Sequence, residues 1–363
     1  MGFGGQEIRV LSEARGLRER GHDVMLYCAS GARIGEEAAR YGVPATRLPI
    51  ARKTPRAILA LARALASRRF DVVCTHSSTD SWLAALALRT MAPRPALVRM
   101  RHVSVPVPDN PATRWLYRRA TARIVTTGEA LRDELVRNLD IAADRIDSVP
   151  TGIDSQAFAA RDKRSARRAL GLPEDVPLVG IVATLRSWKG HRHLLEAMTH
   201  LQHRDARLVI VGDGPQREAL VEQARTLDIV PRVVFAGHRD DIADWLASFD
   251  VFALPSYANE GVPQALLQAM AAGVPCVTTD VGAIPEIARH DDTAWIVARE
   301  DPRALARGID RVLDDPALGR RLAGRARALV TSRHGYQAML DRMEAIYRRA
   351  IAERGTGAGR RRR

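Results

Sequence analysis

The amino-acid sequence predicts an α/β protein of two Rossmann-like, doubly wound domains facing a cleft, and three observations carry that expectation. Short apolar runs rich in Val, Ile and Leu alternate with longer helix-like or loop segments through both halves of the chain. Such runs are characteristic of parallel strands covered on both faces. The length, 363 residues, exceeds what one ordinary core organises and suits two domains. A stretch carrying Pro and Gly, IDSVPTGIDSQAF at 146–158, reads as the linker between them.

Taken in order, the chain opens MGFGGQEIRVLSEARGLRERGHDVMLYC, a glycine turn running straight into a helix. A turn of this kind normally follows a strand and lets backbone approach a phosphate. Only Met1 stands ahead of it, so the first N-terminal strand is expected to be missing, which would leave two strand edges unpaired. HDVMLYC, FDVVCTH, ALVRMRHVS and ARIVTTG supply the strands of a first domain, 1–158. PLVGIVAT, ARLVIVGDG, RVVFAG, DVFALPS and PCVTTD supply those of a second, 159–335, with helices at 190–200, 215–227 and 263–271. A helix at 336–351 is expected to pack back toward the first domain. The tail at 352–363, made largely of Gly, Thr and Arg, cannot build a core and is expected to be disordered.

Composition narrows the class. With 46% hydrophobic and 27% charged residues, the chain reads as globular and cytoplasmic. No apolar run approaches the ~18–20 residues of a membrane helix, and no signal-peptide core opens it. Cys28, Cys74 and Cys276 have no metal-site spacing and read as reduced core thiols. The net charge of +14 is uneven: residues 1–150 carry 24 Lys and Arg against 15 Asp and Glu, and residues 342–363 carry 8 against 2. That asymmetry suits an anionic membrane surface or an anionic acceptor. A nucleic-acid partner is not expected, because aromatics are only 5% of the chain and no reading motif is present.

The chemistry concentrates in LPSYANEGVPQALLQAMAAGVPCVTTDVGAIPEI. Glu260 and Gly261 form a turn after a strand, Pro263 suits the first turn of a helix, and Gly273 stops it. The amides of Gly261 and Val262 would then point out of a helix N-terminus toward an anion, with Glu260 beside them to accept from hydroxyls. Gln268 lies eight residues on.

This stretch resembles the E-x7-E signature of retaining family-4 glycosyltransferases, which have the two-domain GT-B fold. VGDGP (211–215), FAGHRDDIADWLASFDVFALPS (235–256), SVPTGIDSQAF (148–158), GGQE and RGHDV resemble that family too, in the expected order along nearly the whole chain. The resemblance implies that Glu260 holds hydroxyls of a donor sugar and that Gln268, replacing the second glutamate, accepts from the nucleotide ribose. It implies that Lys189 neutralises a departing diphosphate. The arginine expected five residues before the Lys-Gly pair is replaced by Thr184, and Arg186, three residues before Lys189, could supply the missing guanidinium. Gly4 and Gly5 match the glycine loop that approaches the donor phosphate, and His102 matches the histidine near the donor sugar. His76, at an earlier strand end, would face the acceptor. Glu286, in IPEI, is either a nucleotide contact or a helix-start residue.

The resemblance implies a retaining transferase that moves sugar from a nucleotide-diphosphate sugar to a hydroxyl of a glycan or lipid-linked acceptor, as in cell-surface polysaccharide or lipopolysaccharide synthesis. No metal or other cofactor is expected, and the enzyme would be peripheral on the cytoplasmic face of the inner membrane. A basic stretch with no acidic residue from 38 to 70 would handle the acceptor side, through Arg56 and Arg63 beside a helical apolar face and through Arg114, Arg118 and Arg119. The alternatives are a nucleotide-sugar epimerase of the same architecture and a basic nucleic-acid-binding protein. Plainer readings of the residues also stand: a helix-cap Glu260, a solvated Lys189 and Arg186, structural histidines, a packing Gln268 and a simple turn at Gly4–Gly5.

Overall fold

The computed structural model describes residues 4–102, 107–159 and 161–359. The chain forms two compact units: the first joins the residues through Pro150 to those from Gln337 onward, and the second is Thr151–Tyr336.

The first unit starts with α1 (Gly5–Glu19). The Gly4 amide donates to Glu7 Oε2 at 3.0 Å, satisfying one of the donors a helix start leaves open. β1 (Leu26–Ala29), α2 (Ile34–Glu37) and β2 (Ala45–Leu48) follow, and the two strands pair in parallel as a sheet of their own. α3 (Pro55–Ala66) begins where Thr54 accepts from the Ala57 amide and Pro55 takes the first helical position. Then come β3 (Val72–Thr75), α4 (Ser78–Ala87), β4 (Ala96–Arg101), α5 (Pro111–Trp115), β5 (Arg123–Thr126), α6 (Glu129–Leu139) and β6 (Ile146–Ser148). Their strands form a parallel sheet in the order β3-β4-β5-β6.

The second unit holds α7 (Lys163–Leu170), β7 (Leu178–Val182), α8 (His191–His200), β8 (Arg207–Val211), α9 (Arg217–Thr226), β9 (Val233–Gly237), α10 (Ile242–Ser248) and β10 (Val251–Leu254). It continues with α11 (Gln264–Ala272), β11 (Cys276–Thr278), β12 (Trp295–Ile296), α12 (Pro302–Asp314) and α13 (Pro316–Arg333). One parallel sheet runs in the order β12-β11-β10-β7-β8-β9. From β7 the chain winds outward one way to β9, then returns beside β7 at β10 and winds the other way. That reversal is the topological switch point of a doubly wound sheet, where such folds bind ligands. Every residue of β7 and β10 is buried, which accounts for their unbroken apolar sequences.

The observed division differs from the expected boundaries at 158 and 335. Ile153 is buried in the core of the second unit, donates its amide to His334 O at 2.7 Å and accepts from the Tyr336 amide at 3.1 Å. The stretch read as a linker is therefore divided: Ile146–Ser148 forms β6 of the first unit, and from Thr151 the chain is already part of the second. α14 (Tyr336–Gly359) continues past the expected end at 351, so the segment read as a disordered tail is helical through Gly359, and Arg360–Arg363 lie outside the described residues. From Gln337 on this helix belongs to the first unit, where the Tyr347 hydroxyl donates to Glu13 at 2.7 Å and Arg123 meets Glu353 at 2.9 Å. Val103 and Ser104, at the end of one expected strand, also lie outside the described residues.

Candidate active site

The second unit brings its candidate residues together at the switch point. Lys189 lies on the loop after β7 and Glu260 on the loop after β10, so adjacent strands deliver the two side chains to the same carboxyl-terminal edge. Lys189 Nζ sits 2.7 Å from Glu260 Oε1 and 3.0 Å from Oε2. The Glu260 carboxylate also accepts from the Ser256 hydroxyl at 2.6 Å and is nearly sealed from solvent, whereas the Lys189 side chain is 20% exposed. A buried carboxylate is tolerable because a charged donor and a neutral one both satisfy it.

Two glycines hold these loops in place. Gly190 has φ +76°, and a Cβ there would come within 2.0 Å of Pro255 O, so the loop after β7 presses backbone to backbone on the end of β10. Gly282 has φ +59°, and a Cβ there would come within 2.1 Å of Glu260 O. The loop bonds match: the Tyr257 amide donates to Trp188 O at 2.9 Å and the Ala283 amide to Glu260 O at 3.3 Å.

The other expected donor residues lie on the loop after β7, on α11 and on the turn after β11. Arg186 is exposed, lies 5.8 Å from the Trp188 ring and joins no ion pair among the described residues. Thr184 is half-buried two residues before it. Gln268 is half-buried on α11, and Glu286 lies in the short turn Ile284–Glu286 after β11. One expectation needs correction. Gly261 and Val262 fall in the turn ahead of α11, and the first helical bond is from the Leu267 amide to Pro263 O. The open amides of the helix start are therefore those of Gln264, Ala265 and Leu266.

Sequence reasoning missed Ser256, Thr279, His191 and Gln264. Thr279 donates to Ser256 O and braces the carboxylate's partner. His191 is buried beside Lys189; desolvation first, and the Lys189 charge second, push its pKa down to about 3, so it is neutral. Gln264 has a buried amide oxygen with no partner and lies one turn before Gln268 on the same helix face. That i, i+4 spacing was the available signal.

In the first unit His76 Nδ1 lies 3.1 Å from His102 Nε2, and the rings stack at 5.4 Å. Burial, then the nearby Arg9 charge, lowers the His76 pKa to about 4. Burial, followed by His76, Arg9 and Arg101, holds His102 well below its ordinary value. Both rings are therefore neutral, and one donates its N–H to the other. Gly4 is extended (φ −150°), with its amide bonded to Glu7, and Gly5 begins α1.

On the basic stretch, Leu61 and Leu65 of α3 are buried while Arg56 and Arg63 are exposed. Arg114 is paired with Asp109 at 2.6 Å, and Arg118 binds Leu139 O at 2.9 Å and Asp140 at 2.5 Å; both are engaged in the fold rather than presented as loose charges. Among the described residues no three His, Cys, Asp or Glu cluster as a metal site, and no helix is long and apolar enough to cross a membrane.

Comparison with known proteins agrees with this geometry. The sequence profile of glycosyl transferases group 1 matches residues 162–329, and that of glycosyltransferase family 4 matches residues 3–157. A D-inositol 3-phosphate glycosyltransferase of Xylanimonas cellulosilytica is 30% identical over 396 residues, covering 97% of this chain and 93% of that one. The N-acetyl-alpha-D-glucosaminyl L-malate synthase of Bacillus anthracis is 32% identical over 203 residues, and the match spans about half of that relative, 53%. The crystal structure of Anabaena HepE in complex with UDP and glucose superposes with a TM-score of 0.83 at 20% identity, covering 94% of this chain and 95% of that one. The chain belongs to the family-4 glycosyltransferases of group 1, with their two-domain GT-B fold.

Proposed function

We propose that this protein is a retaining glycosyltransferase that moves a sugar from a nucleotide-diphosphate sugar to a hydroxyl of a glycan or lipid-linked acceptor, as in cell-surface polysaccharide or lipopolysaccharide synthesis. The observation that carries the reading is the Lys189–Glu260 pair at the switch point, with the open amides of α11 and the exposed Arg186 on adjoining loops. A cation, a nearby guanidinium and a helix start form an anion site, and breaking a sugar–phosphate bond leaves the added charge on the diphosphate.

In this mechanism the diphosphate draws Lys189 away from Glu260. The released carboxylate, still held by Ser256, accepts from hydroxyls of the donor sugar, while Gln268 and Gln264 offer amide oxygens to the ribose. Lys189, Arg186 and the α11 amides stabilise the leaving diphosphate as the bond loosens into an oxocarbenium-like state. The acceptor hydroxyl attacks from the same face and passes its proton to the phosphate. His102 and His76, neutral and hydrogen-bonded to each other, serve as polar contacts for sugar and acceptor and not as charged acids. The exposed Arg52, Lys53, Arg56 and Arg63 suit an anionic surface on the cytoplasmic side of a membrane.

The test is incubation with a panel of nucleotide sugars, with and without a lipid-linked glycan, measuring nucleoside diphosphate release and the anomeric configuration of the product. Acceptor-dependent release with retained configuration is expected, lost by at least about 100-fold in Lys189→Ala. Epimer formation without diphosphate release would replace this reading with an epimerase.

A further inference from the structure

Four arginines are buried among the described residues, and three of them have carboxylate partners. Arg9 pairs with Glu13 at 3.5 Å, Arg123 with Asp147 at 2.8 Å and Arg167 with Asp250 at 2.5 Å. Arg99 of β4 is the exception. It is 3% exposed and joins no ion pair among the described residues. Its Nε and Nη1 atoms have no hydrogen-bond partner, so three of its five N–H bonds meet no acceptor. Burying a charge in that state is costly, and a guanidinium does not shed its proton to escape the cost. Its main support is the face of the Tyr117 ring, 4.3 Å away. Asp80, the carboxylate whose charge reaches it, is already taken by the His76 and Ser77 amides at 2.9 and 2.8 Å.

The strand sets the direction of this side chain. Side chains alternate along β4, so Leu97, Arg99 and Arg101 share one face. Leu97 belongs to the same apolar cluster as Leu83 of α4 and as Leu116 and Tyr117 of the helical turn Leu116–Ala120 that follows α5. Burial relaxes along the face toward the carboxyl end of the strand: Leu97 and Arg99 are buried, Arg101 half-buried. Arg101 Nη1 donates to the Tyr117 hydroxyl at 3.5 Å, so both guanidiniums are gathered on one ring. In register, Arg99 lies opposite Thr75, the last residue of β3. His76 follows Thr75 and His102 follows Arg101, so the two arginines belong to the same strand ends as the histidine pair.

We propose that Arg99 and Arg101, gathered on Tyr117, form an anion subsite of the first unit that takes the phosphate of a phosphorylated sugar acceptor. A phosphate monoester brings three terminal oxygens, which accept from several guanidinium N–H groups at once, and its charge offsets the repulsion between the two cations. The depth of Arg99 suits a compact phosphate carried by one small molecule and not a flat anionic surface. That the phosphorylated molecule is the acceptor rests on the transferase reading above; the anion subsite itself does not.

The experiment titrates the full chain and its Lys189→Ala form with inorganic phosphate in calorimetry, the second form lacking the cation of the donor site. Phosphate is expected to bind both, and Arg99→Met to weaken it by at least about tenfold in each. The Tm of Arg99→Met is expected to stay level or rise, because the change removes a buried charge that has no partner. Arg99→Lys keeps the charge but loses the planar fork; it serves if the Met form does not fold, and a several-fold weakening is expected. Glucose 6-phosphate and vesicles of phosphatidylglycerol separate a sugar phosphate from a lipid headgroup: the first is expected to displace inorganic phosphate and the second is not. Unchanged phosphate affinity in the Arg99 variants, or no phosphate binding once Lys189 is removed, would overturn the proposal. Displacement by the vesicles and not by the sugar phosphate would overturn it as well. A donor panel that releases no nucleoside diphosphate would count against the transferase reading and leave these titrations as they are.

Discussion

The Lys189–Glu260 pair lends itself to a double-mutant cycle. At 2.7 Å, with an effective dielectric near 20, the gross attraction is about 6 kcal/mol, and desolvation removes a large part of it. Lys189→Met leaves a nearly sealed carboxylate with Ser256 as its remaining side-chain donor, and removing one member of a buried pair costs about 3–5 kcal/mol. The partial exposure of Lys189 places the cost near the lower figure. Glu260→Gln keeps the Ser256 bond and leaves the ammonium an exit to water, at a cost of about 1–2 kcal/mol. The double variant should then be more stable than the sum of the singles by about 2 kcal/mol in urea unfolding. Nucleotide binding gives the independent reading. If a diphosphate must take Lys189 from Glu260, Glu260→Gln should bind the nucleoside diphosphate released in the donor panel several-fold more tightly in calorimetry, and Lys189→Met at least about tenfold more weakly, a difference of roughly 1.4 kcal/mol or more. Additive unfolding energies within about 0.5 kcal/mol, or weaker binding of that diphosphate in Glu260→Gln, would refute the reasoning.

Gly190→Ala forces a side chain onto a left-handed residue and against Pro255 O, so Tm should fall by about 5 °C or more, as scanning calorimetry would register. His76 sits at about 4 when folded against an ordinary value of 6.5, so between these pH values the unfolded chain binds the extra proton; stability should rise with pH through that window, His76 contributing at most about 1.4 kcal/mol per pH unit and the lowered His102 and His191 adding in the same direction. His76→Gln should flatten that part of the urea-stability profile.

The parts of the fold visible in the sequence are those whose burial writes itself into composition. β7 and β10 are covered on both faces and appear as unbroken apolar runs, and β8 does so after its first residue, Arg207. β2, with the sequence ATRL, is mostly exposed, β12 has two residues, and β6 lies in a stretch whose Pro and Gly suggest a linker. Each is a strand only because a neighbour pairs with it, which no local pattern encodes. In the candidate site, motif order is what singles out Glu260, Lys189 and Gln268. Their order does not convey that Lys189 touches Glu260, because that contact depends on strands β7 and β10, about seventy residues apart, becoming neighbours. Ser256 and Thr279 escaped notice because a small hydroxyl at a strand end has no distinctive spacing, and their importance comes from the carboxylate they support.

The placement of α14 bears on how the protein is born. Residues from Gln337 onward leave the ribosome after the whole second unit, yet they carry Tyr347 and Glu353, the partners of Glu13 and Arg123. The half of the molecule made first is thus the half finished last: Thr151–Tyr336 can close on its own residues during synthesis, while the amino-terminal half waits for a helix still to be translated. Over that interval the buried Glu13 lacks the Tyr347 hydroxyl that bonds it, which makes the early nascent chain the stage most exposed to misassembly.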